Sequence, residues 1–382
     1  MRVVSFFSGA GGMDLGFIFA GHDIIWANDF DEYAIKSYNY NIGKYIGHEA
    51  VFGDITQMLD GDKNVVDNNL PECDIIIGGF PCQGFSIANV NRNMEDERNF
   101  LYLELLKAIS VKQPPFFLLE NVKGLENMEQ GRVLNTILDD LELAGTPNCR
   151  VFEGNGPGYT VVYNVLNAVN YGVPQNRERV IILGVRNDVD NHAVLEHILP
   201  PDNLLQMRKR LYVRETHSLD SDIIDDITPY EKVNKLYNNW RKGKLDFKQD
   251  YFINRKTVYK STTLRDAIWD LPYDFDKNHE KFFNHDGSKC KVKISNRVGN
   301  RATQWDKHAP TIMGRGSGTG GPLIPPHPEQ HRRFSVREVA RIQTFPDDFI
   351  FQGSNSAAYR QIGNAVPVLM AYNIAKIFPI EI

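Results

Sequence analysis

The amino-terminal half of the sequence repeats one pattern, a short apolar run followed by a stretch with helical spacing. The runs read as strands because they are brief, branched and bounded by glycine, proline or acidic residues. The predicted strands are 2–7, 23–27, 75–77, 116–119, 159–167 and 180–185. The predicted helices are 14–20, 32–40, 100–109 and 132–144. Strands that alternate with helices indicate an α/β fold, a doubly wound and mostly parallel sheet of Rossmann-like type.

This pattern stops near residue 190. Residues 190–330 are polar and weakly periodic, with a short surface helix predicted at 230–244 and a glycine-rich run at 314–321. Helical spacing returns at 335–343, where Ser335 and Glu338 form a capping pattern, and again at 367–378. The sequence therefore predicts one domain from residues 1–190 plus 330–382, and a smaller, irregular α+β domain from 190–330.

Charge and cysteine content narrow the functional classes. The net charge of −5 conceals −13 over residues 1–200 and +8 over residues 201–382, so the second half is the better candidate for a polyanion surface. The alternative is chance clustering of solvated charges. The four cysteines show no close pairing, which predicts neither a metal site nor disulfides and fits a reducing cytoplasm. The absence of a basic leader and of a long apolar run predicts neither a signal peptide nor a membrane span.

The strongest local signal is a thiol at the end of a predicted core strand. The run 75–77 leads into Gly-Gly-Phe-Pro-Cys-Gln-Gly-Phe-Ser at 78–86. Open α/β sheets carry their chemistry at the carboxyl ends of strands, so Cys82 is a candidate nucleophile. Taken alone, such a cysteine is more often a buried structural residue. The functional interpretation depends on the other stretches.

A glycine-rich turn joins the first strand to the first helix and predicts a cofactor site. Backbone amides of such a turn can approach a ligand closely. Asp14 replaces the glycine of the dinucleotide spacing and would repel a pyrophosphate, which favours a cofactor with a cationic amino-acid portion. Asp29 can bind ribose hydroxyls and Phe30 can stack on adenine. Asp54 either binds the adenine edge or caps a helix. The predicted cofactor-binding residues of these stretches are Phe7, Ser8, Gly9, Gly11, Gly12, Asp29, Phe30, Asp54 and Ile55.

Two further stretches place ionisable groups at strand ends. A thiolate that adds to an electron-poor ring needs an acid nearby to offset the charge that develops. Glu120 ends an apolar strand and can supply that acid, although a Glu there can also cap a turn. Arg177 and Arg179 precede the strand 180–185 and can hold a substrate oxygen and a loop, or form a surface salt-bridge cluster.

In this order along the chain, the motifs resemble those of DNA (cytosine-5) methyltransferases of the bacterial restriction–modification type. The matching stretches are the glycine turn, Pro81-Cys82-Gln83, Glu120-Asn121-Val122, the Gln-x-Arg-x-Arg pattern at 175–179, residues 337–346, and 359–367 with Gly-Asn-Ala-Val-Pro. The resemblance covers residues 1–190 and 330–375. It implies S-adenosylmethionine as cofactor and double-stranded DNA as partner.

The resemblance also implies roles for single residues. Cys82 would attack a flipped-out cytosine, Glu120 would contact it, and Arg177 would lie near the base oxygen with Arg179 beside it. The loop 84–99 would close behind the base. Pro81, Asn364 and Val366 would complete the cofactor pocket. The predicted DNA contacts are Gln83, Ser86, Arg98, Arg301, Gln304 and Arg315.

Target choice is expected in residues 190–330, above all at Arg315, which can contact a guanine edge. The alternative there is a solvated loop with a lone arginine. Three rival functions stay open from sequence alone: a transfer-RNA cytosine-5 methyltransferase, a nicotinamide oxidoreductase and a non-catalytic DNA-binding module. The length of the middle segment favours DNA, and we expect a monomer.

Overall fold

The computed structural model describes residues 1–81, 101–189, 213–245, 258–276, 279–287, 291–297, 299–314 and 324–380. Its main feature is a seven-stranded sheet in the order β3-β2-β1-β4-β5-β7-β6. The strands are β1 Arg2–Phe6, β2 Asp23–Asp29, β3 Val51–Phe52, β4 Ile75–Gly78, β5 Phe116–Val122, β6 Tyr159–Asn167 and β7 Glu178–Arg186.

Strand direction confirms the predicted mostly parallel sheet. Strands β1 to β5 pair in parallel, and β7 runs antiparallel to both β5 and β6. Phe6 lies opposite Asn28 of β2 and Gly78 of β4, and Gly78 lies opposite Leu119 of β5. The carboxyl ends of β1, β2, β4 and β5 therefore meet at one edge, where a Rossmann-like sheet binds its ligands.

Helices cover both faces of this sheet. The helices of the described residues are α1 Gly12–Phe19, α2 Glu32–Tyr38, α3 Lys44–Ile46, α4 Ile55–Met58, α5 Lys63–Asn69, α6 Leu101–Lys112, α7 Arg132–Glu142, α8 Pro229–Arg241, α9 Leu264–Ile268, α10 Val336–Ile342, α11 Asn355–Asn364 and α12 Val368–Ala375. A π-helical turn lies at Asn39–Gly43, a kinked 3-10 segment at Lys123–Gly131 and a 3-10 turn at Ala168–Tyr171.

Side chains that point alternately to the two faces of the strands pack into two apolar layers. In β4 the side chains of Ile75 and Ile77 enter one cluster, and Ile76 enters the other. The first cluster also takes α1, α8, α10, α11 and α12. The second takes residues of α4 to α7. The carboxyl-terminal helices thus complete a core that the amino-terminal strands begin.

The middle segment is more closely attached to this core than its sequence indicates. Helix α8 was predicted at 230–244 as a surface helix, but it buries Val233 and Tyr237 in the first cluster. The Tyr237 hydroxyl donates to the Asn41 carbonyl at 3.0 Å. A two-stranded pair, β8 His217–Ser218 and β9 Tyr259–Lys260, lies in the same segment.

None of the helices in the described residues combines the length and the apolar content that a membrane crossing requires. The described residues also hold no group of three or more His, Cys, Asp or Glu side chains arranged to bind a metal ion.

Candidate active site

The chain leaves β4 as Gly78-Gly79-Phe80-Pro81 at the edge where the strands end. Cys82, Gln83, Ser86, Arg98 and Arg315 lie outside the described residues. Asn121 donates from Nδ2 to the Phe80 carbonyl at 3.0 Å, which ties β5 to this segment. A Cβ atom at Gly79 would lie 3.0 Å from Glu120 Oε2. The segment that leads into Cys82 is therefore fixed beside the Glu120 carboxylate.

Glu120 forms a buried ion pair with Arg179. Both residues are more than nine-tenths buried, at the point where β5 and β7 run side by side. Arg179 Nε lies 2.7 Å from Glu120 Oε1, but its N–H is not aligned with the oxygen, so the contact is an ion pair rather than a straight hydrogen bond. Burial lowers the pKa of Arg179, and the Glu120 charge opposes that shift. The guanidinium stays cationic because an arginine pKa begins so high.

Arg177 has a different environment from the one its sequence predicts. Its Nη1 donates to the Ile312 carbonyl at 2.8 Å, and its Nη2 to the carbonyls of Gly363 at 2.9 Å and Ala365 at 3.0 Å. Nε has no partner among the described residues. The terminal nitrogens thus join three chain segments, and Arg179, not Arg177, lies against Glu120. Neither arginine belongs to the surface salt-bridge cluster that was the alternative.

Two buried glutamines, neither of which is predicted to have a role of its own, support the same region. Gln175 accepts the Ile312 amide at 2.9 Å and donates to Gln343 Oε1 at 2.9 Å. Gln343 donates onward to the Ile362 carbonyl at 2.7 Å. Burying an amide group without hydrogen-bond partners costs free energy. Two glutamines in separate motifs that both enter the core are therefore a signal of a hydrogen bond between them.

The glycine turn brings β1 and β2 together at the sheet edge. Phe7, Gly9 and Gly11 all have positive φ, at 54°, 55° and 89°. The Ser8 amide donates to the Asn28 carbonyl at 2.9 Å, and the Gly9 amide donates to Asp29 Oδ2 at 2.8 Å. A Cβ at Gly9 would meet no atom within 4 Å, so the backbone there is open to a ligand.

The residues that follow β2 and β3 divide into buried and open groups. Asp29 is buried, accepts the Asp31 amide at 2.8 Å, and has its pKa raised by burial. Phe30 beside it is 71% exposed. Asp54 caps α4 by accepting from the Thr56 amide and hydroxyl at 2.9 and 2.8 Å, so its helix-cap alternative is realised. Ile55 is buried.

The last motif returns to the glycine turn. A Cβ at Gly12 would lie 2.5 Å from the Val366 carbonyl oxygen, so only glycine permits this approach. Asn364 is exposed and borders Gly314, where a Cβ would lie 1.8 Å from its Oδ1. The motif thus lies between the glycine turn and the segment that enters the glycine-rich run.

The selectivity assigned to Asp14 needs correction. Its carboxylate is fully buried beneath the turn and accepts hydrogen bonds from the Ser5 and Tyr38 hydroxyls, both at 2.8 Å. Burial raises the pKa of Asp14 to about 6. Both oxygens are used inside the fold, so this group stabilises the turn and is not open to attract a cationic cofactor.

The two described candidates for DNA contact lie apart from these groups in the sequence. Arg301 and Gln304 are both exposed, and Arg301 Nε donates to the Asn296 carbonyl at 3.1 Å. The chain then passes through Ala309, whose amide donates to the Pro174 carbonyl at 2.9 Å. This stretch connects the middle segment to the Arg177 region.

Comparison with known proteins identifies this arrangement. The model of the family described as C-5 cytosine-specific DNA methylase matches residues 1–378. The Type II methyltransferase M.NgoFVII of Neisseria gonorrhoeae is 35% identical, over 99% of this chain and 87% of its own length. The Type II methyltransferase M.BsuRI of Bacillus subtilis is 33% identical, over 98% of this chain and 78% of its own.

Solved structures agree on the fold. A putative DNA modification methyltransferase encoded within a prophage of Escherichia coli is similar with a TM-score of 0.58 and 25% identity, over 99% of this chain and 98% of its own. The Dnmt2 methyltransferase of Schizosaccharomyces pombe has a TM-score of 0.57 at 20% identity, over 98% and 97% of the two chains. The second likeness concerns the fold alone.

Proposed function

Because the chain belongs to the C-5 cytosine-specific DNA methylase family, we propose that it methylates carbon 5 of a cytosine in a specific short site of duplex DNA. The observation that carries the proposal is the buried Glu120–Arg179 pair, fixed beside the segment that leads into Cys82. A base stacked in a duplex cannot enter such a buried site, so the target cytosine must be flipped out of the helix.

The pocket at the sheet edge suits S-adenosylmethionine. The open backbone at Gly9 and the exposed Phe30 ring offer a surface for a nucleoside, and Gly12 with Val366 closes the turn behind it. Phe7, Ser8, Gly11, Asp29, Asp54, Ile55, Pro81 and Asn364 are the other residues that would line it. The bound cofactor supplies the methyl group as a carbon electrophile.

The residues of the chain activate the base and control its protons. The Cys82 thiolate forms a bond to carbon 6, and the electron pair of the 5,6 double bond moves into the ring toward nitrogen 3. Glu120 supplies a proton or hydrogen bond at nitrogen 3 and so offsets the charge. After carbon 5 has been alkylated, a base removes its proton, the double bond re-forms, and the thiolate leaves.

The two arginines take separate roles in this scheme. Arg179 orients the Glu120 carboxylate and contacts the base oxygen. The base-oxygen contact first assigned to Arg177 passes to Arg179, because the Arg177 guanidinium is already bonded to three carbonyls. Arg177 is a positioning residue that joins the 175–179 segment to Ile312 and to the last motif.

Residues 190–330 would choose the target site, and Gln83, Ser86, Arg98, Arg301, Gln304 and Arg315 would contact DNA. Relatives of the chain are named Type II methyltransferases, so we propose that this enzyme, in the cytoplasm and as a monomer, protects DNA from a cognate restriction endonuclease. No observation on the described residues specifically favours the transfer-RNA alternative.

Transfer of tritium from labelled S-adenosylmethionine tests the proposal. Duplex DNA should take up label and transfer RNA should not, and bisulfite sequencing should find one methylated motif. Cys82→Ser should lose transfer and retain DNA binding, with Cys149→Ser as the matched control that stays active. Label in transfer RNA alone, or full activity of Cys82→Ser, would refute the proposal.

A further inference from the structure

One stretch of the middle segment carries only positive charges, and its charged side chains are exposed. We call residues 291–297 and 299–301 the basic turn. Its Lys291, Lys293, Arg297 and Arg301 are all exposed. Between Gly287 and Trp305 the chain has five basic residues and no acidic one, although acidic residues outnumber basic ones overall, 48 to 43. The basic turn is therefore a concentrated positive surface on an acidic protein.

The basic turn is closed by its own hydrogen bonds. The Ser295 amide donates to the Asn300 carbonyl at 3.0 Å, and the Asn300 amide donates to the Arg297 carbonyl at 2.9 Å. Arg301 Nε donates to the Asn296 carbonyl at 3.1 Å, so this side chain folds back along the turn. These bonds define the backbone on which the charges are carried.

Arg333 fastens the turn from behind. Its Nη1 donates to the carbonyls of Gly299 and of Ile324, the latter at 2.8 Å, and its Nη2 donates to Asn300 Oδ1 at 2.7 Å. The guanidinium is half-buried, which lowers its pKa. Because its donors face into the turn, Arg333 acts as a clamp on the turn rather than as part of its charged surface.

The neighbouring residue, Arg332, connects the basic turn to the core. Arg332 forms a two-pronged ion pair with Glu338 of α10, with both N–O distances 2.8 Å. Lys291 pairs with Arg332 in an antiparallel bridge, and the Val292 amide donates to the His331 carbonyl at 2.6 Å. The basic turn is thus held through two adjacent arginines to a buried helix of the catalytic fold.

We propose that the basic turn binds the backbone phosphates of duplex DNA, and that Arg333 is the positioning residue that keeps it in shape. The inference rests on the proposed function for its partner. Residues 1–200 carry −13, so the catalytic half repels phosphates and the attraction must come from elsewhere. A surface that is already ordered loses little conformational entropy on binding, so its charges act at a fixed place relative to the active site.

The salt dependence of DNA binding tests this inference. The full-length protein is titrated onto a labelled, random-sequence duplex of about 30 base pairs at several KCl concentrations, and log Kd is plotted against log salt concentration. Lys291→Gln/Lys293→Gln should reduce the slope by about 1–2, because each lost phosphate contact removes about 0.9. Lys242→Gln/Lys244→Gln, which removes the same charge from exposed lysines after α8, should leave the slope unchanged.

The variant Arg333→Lys tests the positioning role of Arg333 separately from the phosphate contacts of the basic turn. Lysine keeps the positive charge but cannot reach three acceptors at once, so the turn should loosen. Binding should weaken about three- to tenfold while the slope stays within about 0.5 of wild type, because the phosphate-binding residues remain. Affinity equal to wild type would overturn the positioning role.

The outcomes distinguish this inference from the proposed function. If the wild type methylates duplex DNA and the Lys291→Gln/Lys293→Gln slope matches both wild type and control, the basic turn is not a phosphate site and the function stands. If the wild type transfers no label to duplex DNA, the function itself fails. Arg297→Gln, assayed in the same way, must also lower the slope, by about 1. Retention of the full slope by either variant would overturn the inference.

Discussion

At the scale of single residues, the proposed active site contains a carboxylate, Glu120, that is buried and ion-paired. Glu120 lies against Arg179 at 2.7 Å, in a position where an uncharged amide fits the same space. Glu120→Gln should lower methyl transfer by about 100-fold or more, the usual contribution of a general acid. S-adenosylmethionine binding should not change. Single-turnover kinetics and calorimetry measure the two effects.

Glu178 provides the matched control for that experiment. It lies between Arg177 and Arg179 in the sequence, but its side chain is 41% exposed and pairs with Lys123 at 2.8 Å. Glu178→Gln should retain nearly full activity, because exposed ion pairs contribute little. Equal loss of activity in both variants would mean that negative charge near the arginines matters, rather than the buried Glu120–Arg179 pair.

Asp14 makes stability depend on pH. Burial raises the pKa of Asp14 from 3.8 to about 6 in the folded state, so between these values the folded protein binds a proton that the unfolded chain does not. Stability from this group therefore falls as pH rises from 3.8 to 6, by at most about 3 kcal/mol. Asp14→Asn should remove this part, so that the variant gains stability relative to wild type as the pH increases.

Denaturant unfolding at several pH values measures that difference. The exposed Asp23 provides the control, and Asp23→Asn should follow the wild-type curve. The Ser5 and Tyr38 hydroxyls and the nearby Asp29 carboxylate are the groups that face Asp14. Parallel curves for wild type and Asp14→Asn would show that this carboxylate does not titrate in that range.

At the scale of elements, the periodicity of the sequence predicted those strands and helices whose bounds depend on local residue pattern. Strand β6 has the predicted bounds, and α10 begins after Ser335 with the predicted capping box. Strand direction was not accessible, because alternation cannot show that β7 runs against its neighbours. Strand β3 has only two residues, too few for a periodic signal. Helix α8 looked like a surface helix because few of its residues are apolar.

Helix α1 makes a close contact that requires glycine. A Cβ at Gly16 would lie 2.4 Å from the Ala371 Cβ and 2.6 Å from the Tyr372 amide nitrogen of α12. Gly16→Ala must therefore push the two helices apart, which should cost about 1–3 kcal/mol of unfolding free energy. Gly124→Ala, whose Cβ would approach only Val122 at 3.9 Å, should change it by less than about 0.5 kcal/mol. Similar effects in chemical denaturation would contradict the contact.

At the scale of the whole molecule, the site is assembled from distant parts of one chain. The motifs proposed for the site were chosen from sequence because each ends a strand or begins a helix with unusual residues. The sequence did not predict that Arg177 would be used to join Ile312, Gly363 and Ala365, since long-range carbonyl partners leave no local signal. The proposed division of roles between the two arginines rests on their contacts in the three-dimensional arrangement.

The middle segment joins this assembly through α8. Tyr237 donates to the Asn41 carbonyl at 3.0 Å, and Asn234 exchanges two hydrogen bonds with Asp347, at 2.7 and 2.8 Å. Val233 is fully buried in the cluster that also contains α1 and α12. A helix with these contacts cannot leave the core without exposing it, so α8 should unfold together with the sheet domain.

Hydrogen exchange tests this cooperative unit. The amides of α8 should exchange with the same opening free energy as those of α12, because both require global unfolding. Tyr237→Phe leaves the Asn41 carbonyl without its donor and should lower both values together, by about 1 kcal/mol. The control Tyr273→Phe alters a tyrosine that is 67% exposed and should lower neither. Rapid exchange confined to α8, with α12 still protected, would instead mean that the middle segment opens as a separate unit.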